Sequence, residues 1–285
     1  MMKRDILKIC RNPITLQCTY RNAAEQPEFI KLLGLLSFYG FYGIELNLPH
    51  PQIMPPKALR SLLDANGLSI TYIATGAYAH AHHLSLSSPD LQIRKKSIQG
   101  CKENIRYAAE LHAGIIIGFL KNSDPLCDKK QARMLLEDSL TELNTYAGVY
   151  QVPILLEATN RYESCIANSL NDTMEIIDHV HGSMISILPD TYHMNIEESR
   201  PFESLAAFQD NYRSLHLSDN NRFFPGLGCI PFENYFKKLD EIRYQGILGI
   251  EGTIKYGIPK DLEICVNYLS GVFEQLQTEK QRAAS

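Results

Sequence analysis

Short apolar runs alternate with longer segments of helical periodicity along the whole chain. Eight runs are predicted as buried β-strands because they are short, rich in branched aliphatic residues and followed by polar loops. They are residues 14–18, 43–46, 69–74, 115–119, 152–156, 185–188, 214–217 and 247–250. The alternation predicts a parallel sheet whose strands are connected by crossover helices.

Helix-start signals and apolar stripes predict the intervening helices. Ser88, Pro89 and Asp90 supply an N-cap, a proline in the first turn and an early acidic residue. Asp172 opens another helix, and Pro259 begins the last one. An amphipathic helix is also predicted from apolar residues at helical spacing, namely Phe232, Tyr235, Phe236, Leu239 and Ile242.

Eight strand-plus-helix units in 285 residues predict an α/β fold, a (β/α)8 TIM barrel. No flexible linker divides the chain, so residues 1–285 are predicted as one domain with terminal extensions at 1–12 and about 279–285. An open doubly wound sheet is disfavoured because no GxGxxG follows the first strand and no P-loop is present.

Composition narrows the function classes. A net charge of −4 disfavours nucleic acid and anionic lipid as partners. No apolar run is long enough to span a membrane, and the amino-terminal segment lacks the apolar core of a signal peptide. The 7 cysteines are scattered without CxxC spacing, so neither a disulfide framework nor a thiolate zinc site is expected. A reduced, cytoplasmic protein is predicted.

The last four predicted strands end in residues of metal-ligand type, namely Glu157, Asp190, His216 and Glu251. A charged residue often only marks where a buried strand emerges into water. Four in succession favour a shared site, because the carboxyl ends of barrel strands converge on one face.

Three clustered carboxylates repel one another, and a divalent cation offsets that repulsion. Three oxygen donors and one imidazole suit Mn²⁺, Co²⁺, Fe²⁺ or Mg²⁺, while Zn²⁺ also accepts this set. The donor types leave the choice of metal open.

Three segments around these positions carry a family resemblance: EATNRYE, DTYHMNIEE and LSDNNRFFPGLG. The sequence resembles the xylose isomerase-like TIM barrels, and among them the metal-dependent ketose 3-epimerases of the D-tagatose and D-psicose type. The resemblance covers most of the chain and is sharpest over residues 152–252. It implies that the four strand-end residues bind one divalent metal, Mn²⁺ foremost, and that Glu163, His193 and Arg222 contact substrate oxygens.

The implied activity is that of an isomerase acting on a ketose or ketose phosphate by proton abstraction next to the carbonyl, through a metal-stabilised enediolate. Glu157 and Glu251 are the candidate catalytic carboxylates, one removing a proton and the other returning one to the opposite face. Return of the proton to the neighbouring carbon would make the same site an aldose-ketose isomerase. Relatives of this kind are commonly dimers or tetramers, so a homo-oligomer is expected.

Some features depart from the family pattern or stay open. Glu251 is followed by Gly-Thr, where the epimerases usually have Pro-Phe. Glu45 either faces the pocket or caps the barrel top. Three histidines after the third strand are assigned to a solvated loop and left out of the site, namely His80, His82 and His83.

Other functions compete with epimerisation. A dehydratase of the inosose or dehydroshikimate type and a hydroxypyruvate isomerase use a similar metal site. A non-catalytic sugar-binding barrel is disfavoured because all four ligand positions are filled. An endonuclease IV-like repair enzyme is disfavoured because no Asp-x-His follows the seventh strand and the net charge is −4.

Overall fold

Eight strands form one parallel sheet in the computed structural model, which describes residues 7, 10–122, 124 and 126–284. The strands are β1 (Ile14–Thr19), β2 (Gly43–Asn47), β3 (Ser69–Ala74), β4 (Gly114–Ile117), β5 (Ile154–Glu157), β6 (Ile185–Leu188), β7 (Ser214–Leu217) and β8 (Ile247–Ile250). All eight predicted strands are confirmed, with bounds that differ by at most two residues.

The sheet order is β6-β5-β4-β3-β2-β1-β8-β7, and every paired neighbour is parallel. Two isolated bridges, Ile187 with Tyr212 and Asp190 with His216, connect the β6 and β7 sides. The sheet is therefore a nearly closed barrel, and the predicted (β/α)8 TIM-barrel fold is confirmed.

Helices lie in the connections between the strands, and a last helix follows β8. They are α1 (Gln26–Tyr39), α2 (Pro56–Asp64), α3 (Gly76–His82), α4 (Leu91–Leu111), α5 (Lys129–Tyr150), α6 (Leu170–His179), α7 (Thr191–Glu197), α8 (Pro201–Ala207), α9 (Phe232–Glu241) and α10 (Ile258–Ala284). The stripe predicted for α9 is buried at Phe232, Tyr235, Phe236 and Leu239. Their burial removes apolar surface from water, which is the main force holding the helix on the sheet.

Two helix starts differ from the prediction by a few residues. The N-cap of α4 is Asp90 rather than Ser88, because the Asp90 carboxylate accepts two backbone N–H groups at 2.7 and 3.3 Å. A carboxylate also suits the positive end of the helix dipole. Helix α6 begins at Leu170, two residues before Asp172, because the Ser169 hydroxyl accepts the Asp172 N–H at 3.0 Å and caps the helix.

The segment after β3, predicted as a solvated loop, contains the short helix α3. The loop prediction is therefore wrong over residues 76–82, where small residues are compatible with either state. His80, His82 and His83 are exposed on this segment. Their predicted solvation is confirmed.

Alternation along the strands decides which side chains point inward. A small apolar cluster inside the barrel includes Ile116, Leu155 and Leu188. Leu155 and Glu157 share one face of β5 because they are two residues apart. The inward position of Leu155 therefore directs Glu157 toward the barrel axis.

The cysteine prediction needs correction at one pair. Cys127 and Cys165 form a disulfide between the segments after β4 and β5, with their Cα atoms 6.2 Å apart. The two residues are separated by 38 positions, so only the barrel topology brings them together. The other cysteines of the described chain are free.

Within the described residues, no helix is long and apolar enough to cross a membrane. The extension predicted over residues 1–12 falls largely outside the described residues, as does Ser285 of the carboxyl-terminal extension.

Candidate metal centre and active site

The four strand-end residues meet at the carboxyl end of the barrel. One ligand atom from each of Glu157, Asp190, His216 and Glu251 lies within 4.8 Å of the others. Asp190 and His216 are fully buried, and Glu157 is 7% exposed. The convergence predicted from the strand ends is therefore present in the structure.

The atoms at the centre of this cluster fit a cation. Among the described residues, Glu157 Oε1, His216 Nδ1 and Glu251 Oε2 are buried without a well-oriented hydrogen-bond partner. His216 Nδ1 lies 2.6 Å from Glu251 Oε2 and 3.5 Å from Glu157 Oε1. A divalent ion requires oxygen and nitrogen ligand atoms that face one point and lack other partners. These residues can therefore hold one metal ion.

Glu45 fixes the orientation of His216. His216 Nε2 lies 2.8 Å from Glu45 Oε2, and both side chains are fully buried. Since a carboxylate accepts, Nε2 carries a hydrogen. Nδ1 faces the centre of the cluster, where it can offer a lone pair to a cation once it has lost its own proton. Thr15 donates to the other Glu45 oxygen at 3.4 Å. Glu45 therefore lies behind the metal centre, bonded to His216, rather than at the cavity wall.

Arg222 balances part of the negative charge. Its guanidinium bonds Asp190 Oδ2 at 2.5 Å and Glu251 Oε1 at 2.9 Å. The same group lies 5.0 Å from the centre of the Tyr192 ring. The two ion pairs hold both carboxylates beside the cluster despite their mutual repulsion.

His193 presents a neutral N–H donor. Its Nδ1 accepts the backbone N–H and the side-chain amide of Asn160, at 3.1 and 2.8 Å. Nε2 therefore carries the hydrogen, and it is buried without a partner among the described residues, 3.9 Å from Glu157 Oε1. Burial lowers the pKa of His193 to about 4, so the imidazole is neutral at physiological pH.

A cavity of about 130 Å³ opens beside the cluster. Five residues singled out from the sequence line it: Glu157, Glu163, His193, Arg222 and Glu251. Asp190 and His216 lie beneath it. Glu163 is exposed, and it accepts the Asn160 amide at 3.2 Å.

Sequence reasoning did not single out several residues at the cavity wall. Gln17, Asn47, Thr75, Phe119 and Thr159 also line the cavity. They lie in or just after strands β1 to β5, so position at the carboxyl end of a strand is the signal that finds them.

Two glycines make room for the ligands. A Cβ atom on Gly118 would overlap the Glu157 carboxylate. A Cβ atom on Gly249 would lie 2.7 Å from Glu45 Oε1 and 2.9 Å from the His216 ring. Both positions require the absence of a side chain because a functional side chain occupies the space.

The chain is similar to one family of barrels over most of its length. Residues 33–265 match the family model described as xylose isomerase-like TIM barrel. The chain belongs to the xylose isomerase-like TIM barrel family. The family predicted from the residues around the strand ends is thus confirmed.

Individual relatives are sugar epimerases. A D-psicose 3-epimerase from Enterocloster bolteae is 33% identical over 204 residues, which are 70% of this chain and 66% of that protein. A 3-dehydro-D-guloside 4-epimerase from Escherichia coli is 34% identical over 123 residues, or 43% of this chain and 47% of that protein. A solved L-ribulose 3-epimerase superposes with a TM-score of 0.79 at 18% identity, covering 96% of this chain and 97% of that one. This structural likeness shows the shared fold.

We expect metal affinity to rise with pH. Burial, followed by the charge of Glu251, raises the pKa of Glu157. Burial lowers the pKa of His216, but the negative charges of nearby carboxylates, above all that of Glu45, outweigh this effect and raise the pKa. Protons on these two groups compete with a cation, so binding should release protons and weaken as the pH falls. Titration calorimetry with Mn²⁺ in two buffers of different ionisation enthalpy measures this release of protons. Equal Mn²⁺ affinity at about pH 5.5 and about pH 7.5 would contradict the prediction.

Glu45→Gln should weaken metal binding by about 10- to 100-fold, because the amide no longer stabilises the His216 N–H as a carboxylate does. Glu28→Gln on α1 is the matched control, since the Glu28 side chain is 71% exposed. Calorimetry on both variants tests the role of Glu45. Unchanged affinity in the Glu45 variant would show that His216 keeps its orientation without it.

Gly118→Ala should displace the Glu157 carboxylate and reduce Mn²⁺ affinity by about 10-fold or more, since ligand geometry sets affinity. Gly34→Ala is its control because no atom lies within 4 Å of a Cβ built there. The control replaces a helical glycine, so its melting temperature should stay the same or rise. Equal metal affinity in both variants would refute the packing argument.

Proposed function

We propose that the protein is a divalent-metal-dependent epimerase that acts on a ketose by removing and returning a proton next to the carbonyl. One observation carries this proposal: Glu157 and Glu251 line the same cavity from β5 and β8, beside a cluster fit to hold a metal. These strands are three positions apart in an eight-stranded barrel, so the two carboxylates approach from nearly opposite sides. Inverting a carbon requires access to both of its faces.

A bound divalent cation would supply Lewis-acid stabilisation of the negative charge that develops on the substrate oxygens. The chain supplies the proton transfer. Burial, then the charge of Glu251, raises the pKa of Glu157. The pKa of Glu251 is held low, since Arg222 and His216 outweigh the effect of burial. The two carboxylates thus differ in their tendency to hold a proton before a cation binds, and both are acid-base groups of the kind that can remove a proton and return one.

The surrounding residues suit a polyhydroxylated substrate. The neutral His193 Nε2–H is placed to donate to a sugar oxygen, and neutrality prevents it from simply protonating the enolate. Arg222 donates from the β7 side, while Glu163 at the mouth accepts hydroxyl hydrogens. We therefore assign these three residues to substrate binding. We also propose Mn²⁺ as the metal and a cytoplasmic homo-oligomer as the form of the protein, as expected in the sequence analysis.

The relatives support this class of reaction. The D-psicose 3-epimerase and L-ribulose 3-epimerase names describe inversion next to a ketone. The 4-epimerase relative favours a second candidate, inversion at another carbon of a ketosugar. Both reactions begin with the same removal of a proton next to a carbonyl, so they differ in how the cavity orients the sugar.

The deciding experiment is deuterium incorporation from D2O into a panel of ketohexoses, ketopentoses and 3-keto glycosides, with Mn²⁺-loaded protein. We expect exchange at the carbon that is inverted, located by NMR. Glu157→Gln and Glu251→Gln should each reduce the rate by about 100-fold or more, since each removes an acid-base group. Glu28→Gln should keep the full rate because it lies on the exposed face of α1.

The dependence of the exchange rate on Mn²⁺ concentration separates a residue's role in metal binding from a role in proton transfer. Asp190→Asn removes a candidate ligand but keeps both proton-transfer groups, so its defect should shrink at high Mn²⁺ concentration. The defects of the two glutamate variants should persist there. Loaded protein that exchanges no proton with any sugar would refute the proposal, and water loss from a ketone substrate would favour the dehydratase.

A further inference from the structure

Lys121 is a buried cation that the proposed reaction leaves unused. It follows β4 and its side chain is fully buried. Among the described residues, no carboxylate lies within ion-pair distance of its ammonium group. Its single hydrogen bond there runs from Nζ to the Thr159 hydroxyl oxygen, at 2.5 Å.

Thr159 connects this cation to the cavity. Thr159 lines the cavity wall and is 4% exposed. Its backbone is fixed, because its N–H bonds Ala167 O at 3.1 Å and its carbonyl accepts the Asn168 amide at 2.8 Å. Its hydroxyl oxygen accepts from Lys121, and within the described chain its hydroxyl hydrogen has no acceptor. That hydrogen is free to bond a molecule in the cavity.

The segment that carries Lys121 is anchored to the segment that carries Thr159. The Asn122 amide donates to Ser87 Oγ at 2.8 Å, and its carbonyl oxygen accepts Ser164 Oγ at 3.3 Å. The Cys127–Cys165 disulfide joins the same two segments. Lys121 and Thr159 therefore hold their positions before any ligand enters.

The placement of Lys121 is costly for folding. Burial lowers the pKa of Lys121 to about 8, although Glu157, Glu163 and Asp172 oppose the shift. The ammonium group thus stays charged at neutral pH while lacking a directly paired anion. An apolar side chain of similar length would fill the same space without that cost, which indicates a role beyond packing.

We propose that Lys121 and Thr159 act as a donor pair that binds one sugar oxygen on the β4–β5 side of the cavity. Thr159 makes the contact, and Lys121 is a positioning residue that polarises the hydroxyl and fixes its hydrogen toward the cavity. This inference rests on the proposed function, because it takes the ligand to be a polyhydroxy ketone. The pair makes one specific oxygen of that ketone a recognition element.

The test uses Thr159→Val, which removes the hydroxyl at nearly constant shape, and Thr159→Ser, which keeps it. With Mn²⁺-loaded protein and the ketose that exchanges fastest, we expect Thr159→Val to raise KM by about 10-fold or more, as for a lost hydrogen bond to a polarised group. Thr159→Ser should stay within about threefold of the wild type, since the donor remains. Mn²⁺ affinity should not change in either variant.

Monodeoxy ketoses give a readout that a purely structural role would not move. One deoxy analogue should bind wild-type protein about as weakly as the parent sugar binds Thr159→Val. That analogue should bind Thr159→Val no more weakly still, because removing the sugar hydroxyl and removing the Thr159 hydroxyl break the same contact. Lys121→Met should reproduce the KM increase while the melting temperature holds or rises. The double variant with Thr159→Val should match either single variant in KM, because the two residues act as a unit.

Thr145→Val on α5 is the matched control because Thr145 is exposed there. Wild-type KM for the parent sugar in both Thr159→Val and Lys121→Met would overturn the donor pair and leave the proposed function intact. Additive losses for every deoxy analogue would overturn it as well. A wild-type protein that exchanges no sugar proton would instead refute the proposed function, and this inference with it.

Discussion

The repulsion among buried carboxylates at the carboxyl end of the barrel is the constraint on which the site depends. Glu157, Asp190 and Glu251 lie within a few ångströms of one another, where the dielectric is low and water is largely excluded. Arg222 pairs with two of them, and Glu45 aligns the imidazole that faces all three. These contacts offset part of the repulsion but leave donor atoms without partners. A divalent cation satisfies both needs at once.

The fold brings these residues together although they are far apart in the sequence. Each strand of a parallel barrel delivers its last inward residue to one shared face, so a ligand can be added by a single residue type at a strand end. The apolar layer below, with Leu155 directly beneath Glu157 on β5, fixes the direction of the side chain. Glycines at 118 and 249 then leave the space that these side chains occupy.

The sequence was sufficient to predict the features that hydrophobic alternation and position along a strand determine. Eight strands and the convergence of four ligand-type residues follow from that logic, whereas Glu163, His193 and Arg222 came from resemblance. The partnership of Glu45 with His216 was out of reach, because the two residues are 171 positions apart and meet only across the barrel. The Cys127–Cys165 pair and the Lys121–Thr159 contact follow the neighbouring strands β4 and β5, but they lie in connecting segments whose course strand alternation does not determine. The N-cap of α4 was misplaced because Ser88 and Asp90 are both competent caps, and only backbone geometry separates them.

The same electrostatics bears on the substrate. Five carboxylates surround or underlie the cavity, namely Glu45, Glu157, Glu163, Asp190 and Glu251. Among the described residues, the cations Arg222 and Lys121 lie near them. Arg222 is already committed to two ion pairs, and Lys121 reaches the cavity only through a hydroxyl. A divalent cation reduces the excess negative charge, whereas a phosphate group on the sugar would add to it. For the proposed function, this charge distribution suits a neutral ketose better than a ketose phosphate, since Arg222 already pairs with Asp190 and Glu251.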